Sequence, residues 1–297
     1  MISDNCLVKI SMLSPANREI SVPGLIAVAL LILSALPLKA EEFIPKFLAT
    51  VEASMLQTNT ENKVKKRVNK CEADGINDIR KLASPFEEFW AYIPGKCSWI
   101  ELGILEKIRG GIKIDRNGRC KPPSTISGIR KKDVIALIKE TSDLVLYHPH
   151  PSNKSIVDHA LDAKKTNNLS ASCLNQARTE TLEAALPGLP DLSSLFTFAR
   201  IFYRMRPSGQ FAERIVSVYG VTEYSLTEHG EKALDAGEFS NSVRQEMRQY
   251  FNARNSLGKD AYKASPSSEI NAQRINDQLR ILNPKGGLFR IKFMPFN

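Results

Sequence analysis

The segment LVLYHPHPSNK, residues 144 to 154, places His148 and His150 two residues apart at the end of an apolar run. In a β-strand, side chains two residues apart point to the same side, so both imidazoles can be directed at one point. Two imidazole nitrogens directed at one point are half of a zinc site. The pair alone is weak evidence, and two polar residues on a surface turn are the alternative interpretation.

A third ligand is needed, because a catalytic zinc ion normally takes three protein ligands and leaves one position for water. A carboxylate is the natural choice, and two aspartates are candidates. Asp191 ends GLPD (188 to 191) and begins a predicted helix, whereas Asp158 ends SIVD (155 to 158). We favour Asp191, since a helix packed behind the site would fix the position of its carboxylate, and we keep Asp158 as the alternative.

The elements around the histidine pair mix helices with strands. KKDVIALIKETS (131 to 142) has apolar residues at helical spacing and leads directly into the strand DLVLYH. In α/β folds, functional residues collect at strand ends. Further strands are predicted at 88–93, 98–108, 111–115, 211–227 (two strands turning around Tyr219-Gly220) and 287–296, with a core-facing helix at 186–205 and polar helices at 152–186 and after 231.

The N-terminus has the pattern of a secretory signal peptide. An apolar stretch, GLIAVALLILSALPL (24 to 38), follows Lys9 and Arg18, and Ala40 precedes a charged start. An uncleaved anchor helix is the alternative, but the stretch is shorter than the roughly 18 to 20 apolar residues that span a bilayer. The sequence therefore predicts a periplasmic or secreted protein with no stable membrane span after leader cleavage.

The number of cysteines is consistent with an exported protein. Removing the leader discards Cys6 and leaves an even set of four, namely Cys71, Cys97, Cys120 and Cys173. An even set in an oxidising compartment predicts two disulfides. The favoured pairs are Cys97 with Cys120, which bracket a predicted strand-turn-strand unit, and Cys71 with Cys173. Four buried free thiols are the alternative.

The charge of the chain leaves one other class of function open. A net charge of +9 attracts anionic surfaces without specifying one. The segment EYSLTEHGEKALDAG (223 to 237) is similar to the region beside the wing of winged-helix regulators, which makes a DNA-binding protein an alternative. The signal peptide and the lack of a basic recognition helix upstream argue against it, so we predict no nucleic-acid partner.

The order of the motifs resembles the JAMM (JAB/MPN) superfamily of zinc isopeptidases. That family has a glutamate on an upstream strand, then H-x-H-P, then S-x-x-D at the start of a helix. Here EFWAYI is similar to the first strand and maps the general base onto Glu88, while HPHP maps two zinc ligands onto His148 and His150. The strands ERIVSVYGVTEYSLT are similar to the pair that follows the helix. The resemblance covers about residues 75 to 230.

The third family element has two candidates in this sequence. SIVD has the literal form but lies closer to His150 than the family places it. GLPD leads into the expected helix and maps the third ligand onto Asp191, but it follows a long insertion and carries Gly188 where the family has Ser. The family's Ser hydroxyl helps to stabilise an oxyanion. At Gly188 a backbone amide or a water would have to replace it.

The resemblance implies an α/β fold of the JAMM-like (cytidine-deaminase-like) kind, with a mixed sheet flanked by helices and a mostly helical C-terminal extension. It implies Zn²⁺ as cofactor, a zinc-bound water activated by Glu88, and a peptide or protein substrate cleaved at a peptide or isopeptide bond. A non-catalytic exported scaffold or envelope protein on the same fold is the alternative. The predicted organisation is a signal peptide (1–40), a helical segment (41–74), a metal-binding domain (75–235, with an insertion at about 152–186) and a helical extension ending in a strand (236–297).

Overall fold

A computed structural model describes most of the chain after residue 66. The described residues are 67–81, 86–102, 107–126, 128–163, 168–235, 239–283 and 287–296. The predicted signal peptide and most of the predicted helical segment at 41–74 lie outside them. No helix within the described ranges is long and apolar enough to cross a membrane.

Strands lie in each predicted strand region, but three further strands were not predicted. Arg67–Asn69 form a strand because they pair with residues 98–100, so the helical prediction for 41–74 is wrong there, and Cys120–Lys121 and Ser124–Ile126 form short strands. In chain order the strands are β1 (Arg67–Asn69), β2 (Trp90–Ile93), β3 (Ser98–Glu101), β4 (Lys107–Arg109), β5 (Lys113–Ile114), β6 (Cys120–Lys121), β7 (Ser124–Ile126), β8 (Asp143–Pro149), β9 (Gln210–Val216), β10 (Gly220–Leu226) and β11 (Phe289–Pro295). Seven of them form one sheet in the order β1-β3-β2-β8-β9-β10-β11. Among the strand pairs of the described residues in this sheet, only β8 and β9 are parallel, so the sheet is mixed.

Helices cover both faces of this sheet and complete a mixed α/β fold. They are α1 (Glu72–Lys81), α2 (Lys131–Glu140), α3 (Asn153–Asp162), α4 (Ala171–Arg178), α5 (Leu189–Met205), α6 (Glu228–Asp235), α7 (Phe239–Ser256) and α8 (Ser268–Leu282). Short 3₁₀ turns lie at Pro94–Lys96, Leu182–Ala185 and Lys259–Tyr262. The predicted helices at 131–142 and 186–205 are therefore confirmed as α2 and α5.

Strand β8 separates two apolar layers because its side chains alternate between the faces of the sheet. Leu144 and Leu146 lie in the larger core. Val145 and Tyr147 lie in a smaller cluster on the opposite face, together with Trp99. His148 shares the parity of Leu144 and Leu146, so it points to the side of the larger core.

Helix α5 packs on that side against β9 and β10. The core-facing side of this predicted helix is buried, except that Ile201 is only half-buried; the buried apolar residues on it include Leu192, Leu195, Phe196, Ala199 and Phe202. Burial of each Leu or Phe side chain contributes roughly 1.5 to 3 kcal/mol. This packing fixes where the first turn of α5 lies relative to the end of β8.

The region after residue 235 belongs to the same core. Strand β11 pairs with β10 along seven residues, from Leu226 opposite Phe289 to Gly220 opposite Pro295. Helices α7 and α8 add buried side chains to the larger core, among them Met247, Tyr250, Ile275 and Leu279. The segment that the sequence presents as an extension thus completes the sheet and covers one of its faces.

The predicted disulfide pairing is wrong. The structure joins Cys120 to Cys173 and leaves Cys71 and Cys97 free and exposed. The reason is the packing of β6 against α4, where the Cys120 N–H donates to Gln176 Oε1 at 3.4 Å. A strand-turn-strand unit brackets Cys97 and Cys120 in sequence, but tertiary packing directs Cys120 to the helix. The alternative of four buried free thiols is wrong as well.

A carboxyl group lies buried beneath α5. Glu213 on β9 is 2% exposed and accepts hydrogen bonds from Ser194 Oγ and Tyr224 Oη, each at 3.0 Å. Burial raises the pKa of Glu213 to about 8, against the opposing effect of these two donors and with a further contribution from Asp191. The group is therefore mostly protonated at neutral pH in the folded chain.

This raised pKa predicts a pH-dependent stability. Between the ordinary value of 4.5 and the folded value of about 8, the folded chain binds more protons at Glu213 than the unfolded chain. The free energy of unfolding should therefore fall as the pH rises through that window, by up to about 1.4 kcal/mol per unit. Glu213→Gln should remove this part of the fall. Urea denaturation at pH 5, 7 and 8.5 measures it, and parallel curves for the two proteins would contradict the assignment.

Candidate metal centre

Three donor side chains meet at the end of β8. The Nε2 atoms of His148 and His150 lie 3.2 Å apart. Asp191 Oδ1 lies 3.3 Å from His148 Nε2, and Asp191 Oδ2 lies 3.5 Å from His150 Nε2. One ligand atom of each side chain lies within 4.8 Å of the other two, so the group could hold a metal ion.

The two histidines share one face because the strand geometry continues past the end of β8. The His150 N–H donates to Val216 O at 2.9 Å, which extends the parallel ladder between β8 and β9 by one residue. His148 and His150 then obey the period of two that the H-x-H spacing predicts. His148 is 3% exposed, and Phe89 packs beside its ring with a centroid distance of 5.2 Å.

Asp191 reaches the histidines from the first turn of α5. Its Oδ2 accepts the Gly188 N–H at 2.6 Å, a bond that ties the carboxylate to the residue before the helix. A carboxylate in the first turn also interacts favourably with the helix dipole. Burial alone would raise the pKa of Asp191, but the hydrogen bonds and charges of His148 and His150 outweigh it and hold the pKa far below its usual range.

A backbone carbonyl sets the tautomer of His150. Its Nδ1 lies 3.0 Å from Ala184 O. A carbonyl oxygen can only accept a hydrogen bond, so Nδ1 carries the proton. The Nε2 lone pair of the neutral ring then points to the side chains of His148 and Asp191. This arrangement is the one that orients histidine ligands in metal sites.

The segment between α4 and α5 is held by hydrogen bonds from three directions. Three of its carbonyls, those of Ala184, Ala185 and Pro187, accept from His150 Nδ1, from Thr222 Oγ1 at 2.6 Å, and from both Tyr250 Oη and Arg254 Nη1 at 2.7 Å. Strand β10 and helix α7 therefore support the loop that leads to Asp191. Sequence analysis did not find these supports, because nothing in the local pattern links residues 250 and 254 to residue 187.

The donor set fits a tetrahedral metal ion. Ligands about 2.0 to 2.1 Å from a tetrahedral zinc ion lie about 3.3 Å from one another. The two nitrogens lie 3.2 Å apart, which agrees with that value, and each faces a different oxygen of Asp191, His148 at 3.3 Å and His150 at 3.5 Å. Two imidazole nitrogens and one carboxylate oxygen are also ligands that zinc accepts.

A glutamate accompanies the cluster, and it is Glu87. Burial raises the pKa of Glu87, the charges of His150 and His148 oppose that rise, and the charge of Asp191 adds to it. Burial likewise raises the pKa of Glu88, but its charged neighbour is Glu101, which adds to the rise, and the nearby Trp90 side chain opposes it. The structure thus places Glu87 in the electrostatic field of the cluster and directs Glu88 elsewhere.

The remaining candidates lie outside the cluster. Asp158, the alternative third ligand, pairs with Arg178 on α4, with Oδ1 to Nη2 at 2.5 Å. His159 packs edge to face on Phe86, with a centroid distance of 5.0 Å. His229 is exposed on α6. Of the two aspartates considered from sequence, the structure brings Asp191 to the histidines.

Removing either imidazole should abolish tight metal binding. In the metal-stripped full chain, we expect the wild type to bind one equivalent of Zn²⁺, and His148→Ala or His150→Ala to lose more than about 100-fold in affinity, because a zinc ion needs its third protein ligand. Calorimetric titration with Zn²⁺ measures this. His229→Ala is the matched control and should bind like the wild type, whereas unchanged affinity in His148→Ala would contradict the assignment.

Comparison with known proteins adds no assignment to this geometry. No protein-family model, no curated protein and no solved structure matches the chain. The mixed α/β sheet and the group of His148, His150 and Asp191 are therefore the observations from which a function has to be argued.

Proposed function

We propose that this protein is an exported, zinc-dependent hydrolase of peptide or isopeptide bonds with a JAMM-like site. The observation that carries the proposal is the meeting of two imidazole nitrogens and one carboxylate at separations of 3.2 to 3.5 Å. The order of elements supports it: a strand that follows a glutamate, a strand that leads into H-x-H-P, a helix with an aspartate in its first turn, and two further strands.

His148, His150 and Asp191 would hold the ion. When bound, zinc supplies a Lewis acid that polarises a carbonyl and lowers the pKa of coordinated water. The imidazole donors make zinc a better fit than magnesium or calcium, which prefer oxygen ligands. The Ala184 carbonyl contributes by holding His150 in the tautomer that leaves Nε2 free to bind.

Glu87 takes the role of general base in this proposal. Its carboxylate lies in the field of both histidines and of Asp191, and it precedes β2, the neighbour of β8 in the sheet. It accepts a proton from the attacking water and returns it to the leaving amine, so one carboxyl group acts first as general base and then as general acid. Glu88, to which the family pattern mapped this role, has Glu101 and Trp90 as its neighbours instead.

Two further features fit export. The disulfide between Cys120 and Cys173 is compatible with an oxidising compartment. The apolar stretch at 24–38 has the pattern of a cleavable leader. A periplasmic or secreted location would confine the hydrolase to peptides, proteins or conjugates of that compartment.

Substitution of Glu87, the proposed general base, distinguishes a hydrolase from a non-catalytic scaffold. Glu87→Gln should lower the hydrolytic rate by about 10² to 10⁴, because general acid–base catalysis contributes that much. Zinc affinity should stay within about threefold of the wild type, since Glu87 is not one of the proposed ligands. The assay uses zinc-loaded full chain on an internally quenched peptide library and on peptides joined through a lysine Nε isopeptide bond.

Glu88→Gln is the matched control for that experiment, and its hydrolytic rate should equal that of the wild type. Equal losses in Glu87→Gln and Glu88→Gln would contradict Glu87 as the base. Stoichiometric zinc binding without hydrolysis of either probe by the wild type would favour the non-catalytic scaffold.

The residue before α5 gives a second test. The Gly188 N–H is already donated to Asp191 Oδ2, so this amide is not available to an oxyanion. A Cβ at Gly188 would meet Pro190 Cδ at 3.3 Å and Asp191 Oδ2 at 3.4 Å, which small shifts accommodate. Gly188→Ser should therefore fold and raise kcat, by up to about 100-fold if its hydroxyl reaches the oxyanion. Gly188→Ala is the control. Equal kcat values for the two variants would contradict the idea that the site lacks an oxyanion donor at position 188.

A further inference from the structure

Two cysteines lie at the edge of the sheet, away from the disulfide already described. Cys71 and Cys97 are free and exposed. Cys71 lies between β1 and α1, and Cys97 lies between the 3₁₀ turn at Pro94–Lys96 and β3. Their position in the fold brings together two segments that are far apart in the sequence.

The register of the strands sets how close these segments are. β1 and β3 are antiparallel, with Asn69 opposite Ser98. The ladder continues by one bond, because the Lys70 N–H donates to Cys97 O at 2.9 Å. Opposed residues of such a ladder have Cα atoms about 4.5 to 5.5 Å apart, and a disulfide spans about 4.4 to 6.8 Å between Cα atoms. Cys71 is the residue directly after Lys70, so it lies diagonally across from Cys97.

One aromatic side chain lies near both cysteines. Tyr92 on β2 lies beside Cys97 and within electrostatic range of Cys71 and Glu72. At Cys97 the backbone is left-handed, with φ of 43°, so the regular alternation of β3 does not extend to its side chain. Both cysteines therefore lie on the part of the sheet that surrounds Tyr92.

Helix α1 holds Cys71 against this part of the sheet. Gly75 in the first turns of α1 approaches the Trp99 indole so closely that a Cβ there would lie 2.0 Å from Trp99 Cε2. Trp99 in turn packs on Tyr92, with a centroid distance of 4.9 Å. The start of α1 therefore packs against Trp99, which in turn contacts Tyr92, the aromatic side chain beside Cys97.

We propose that Cys71 and Cys97 form a second disulfide, which joins the start of α1 to the turn before β3. A low-molecular-weight disulfide such as oxidised glutathione is the oxidant. The thiolate of one cysteine attacks the small disulfide and releases one small thiol, and the second cysteine then displaces the other. One protein S–S bond forms, the S–S bond of the oxidant breaks, and the two cysteine protons leave on two small thiols.

The bond would close a loop that contains α1, Glu87 and β2. Closing a loop of this length restricts the unfolded chain and stabilises the folded one. The crosslink would also fix the base of α1, whose Glu72 accepts hydrogen bonds from Tyr147 Oη at 3.0 Å and Arg214 Nη1 at 2.7 Å. These contacts lie on the face of the sheet opposite the metal centre, so the proposal stands independently of the hydrolase.

Tryptic mapping of the full chain tests the pairing. The protein is incubated with oxidised glutathione, blocked with iodoacetamide under denaturing conditions and digested without reductant. Trypsin cleaves after Lys70, Arg80, Lys96 and Lys107, so the expected product is CEADGINDIR (71–80) joined to CSWIELGILEK (97–107). Its mass should separate into the two peptides on reduction, and the link between Cys120 and Cys173 should appear in the same digest.

Cys71→Ser and Cys97→Ser are the matched variants. Each should lose the linked peptide and keep the Cys120–Cys173 link. Oxidation should raise the Tm of the wild type by about 5 to 10 °C and leave the Tm of both variants unchanged. Carbamidomethylated Cys71 and Cys97 after oxidation, a link from either residue to Cys6, Cys120 or Cys173, or a disulfide-linked dimer would each overturn the proposal.

Discussion

The largely buried Asp191 carboxylate, whose side chain is 15% exposed, is the constraint on which the rest of the site depends. Taking a carboxylate out of water costs several kcal/mol unless partners replace the water. Here the partners are His148, His150 and the Gly188 amide, and they come from the end of β8 and the start of α5. The loop before α5, strand β10 and helix α7 hold the start of α5 against the end of β8. A shift of α5 or β8 would leave the Asp191 charge without its partners.

The central strands divide the molecule into two electrostatic environments. On one face, His148 and the protonated Glu213 lie under α5. On the other face, Arg214 forms ion pairs with Glu72 and Glu223 beside Tyr147, and these ion pairs bind α1 to the sheet. Strict alternation along β8 and β9 keeps the two sets apart, so a structural ion-pair network and a potential metal centre share the same strands without sharing partners.

Agreement between sequence and structure is best where local periodicity decides the outcome, and it fails where the chain is irregular. The longer strands, α2 and α5 follow from alternation and helical spacing, whereas the short strands β1, β6 and β7 were not predicted. Glu87 and Glu88 precede β2, which begins at Trp90, so the alternation of the strand does not yet determine which of them faces β8. The disulfide pairing could not be predicted from the sequence either, because the contact of β6 with α4 joins residues 53 positions apart.

By itself the sequence determined that His148 and His150 point the same way and that an aspartate opens a helix able to reach them, since both facts depend on the fixed periods of strands and helices. Tertiary structure alone decided that Asp191 and not Asp158 meets the imidazoles, that Glu87 lies in their field, and that Tyr250 and Arg254 hold the loop before α5. Those choices depend on how distant elements pack against one another, and packing is a property of the whole core that no local pattern encodes.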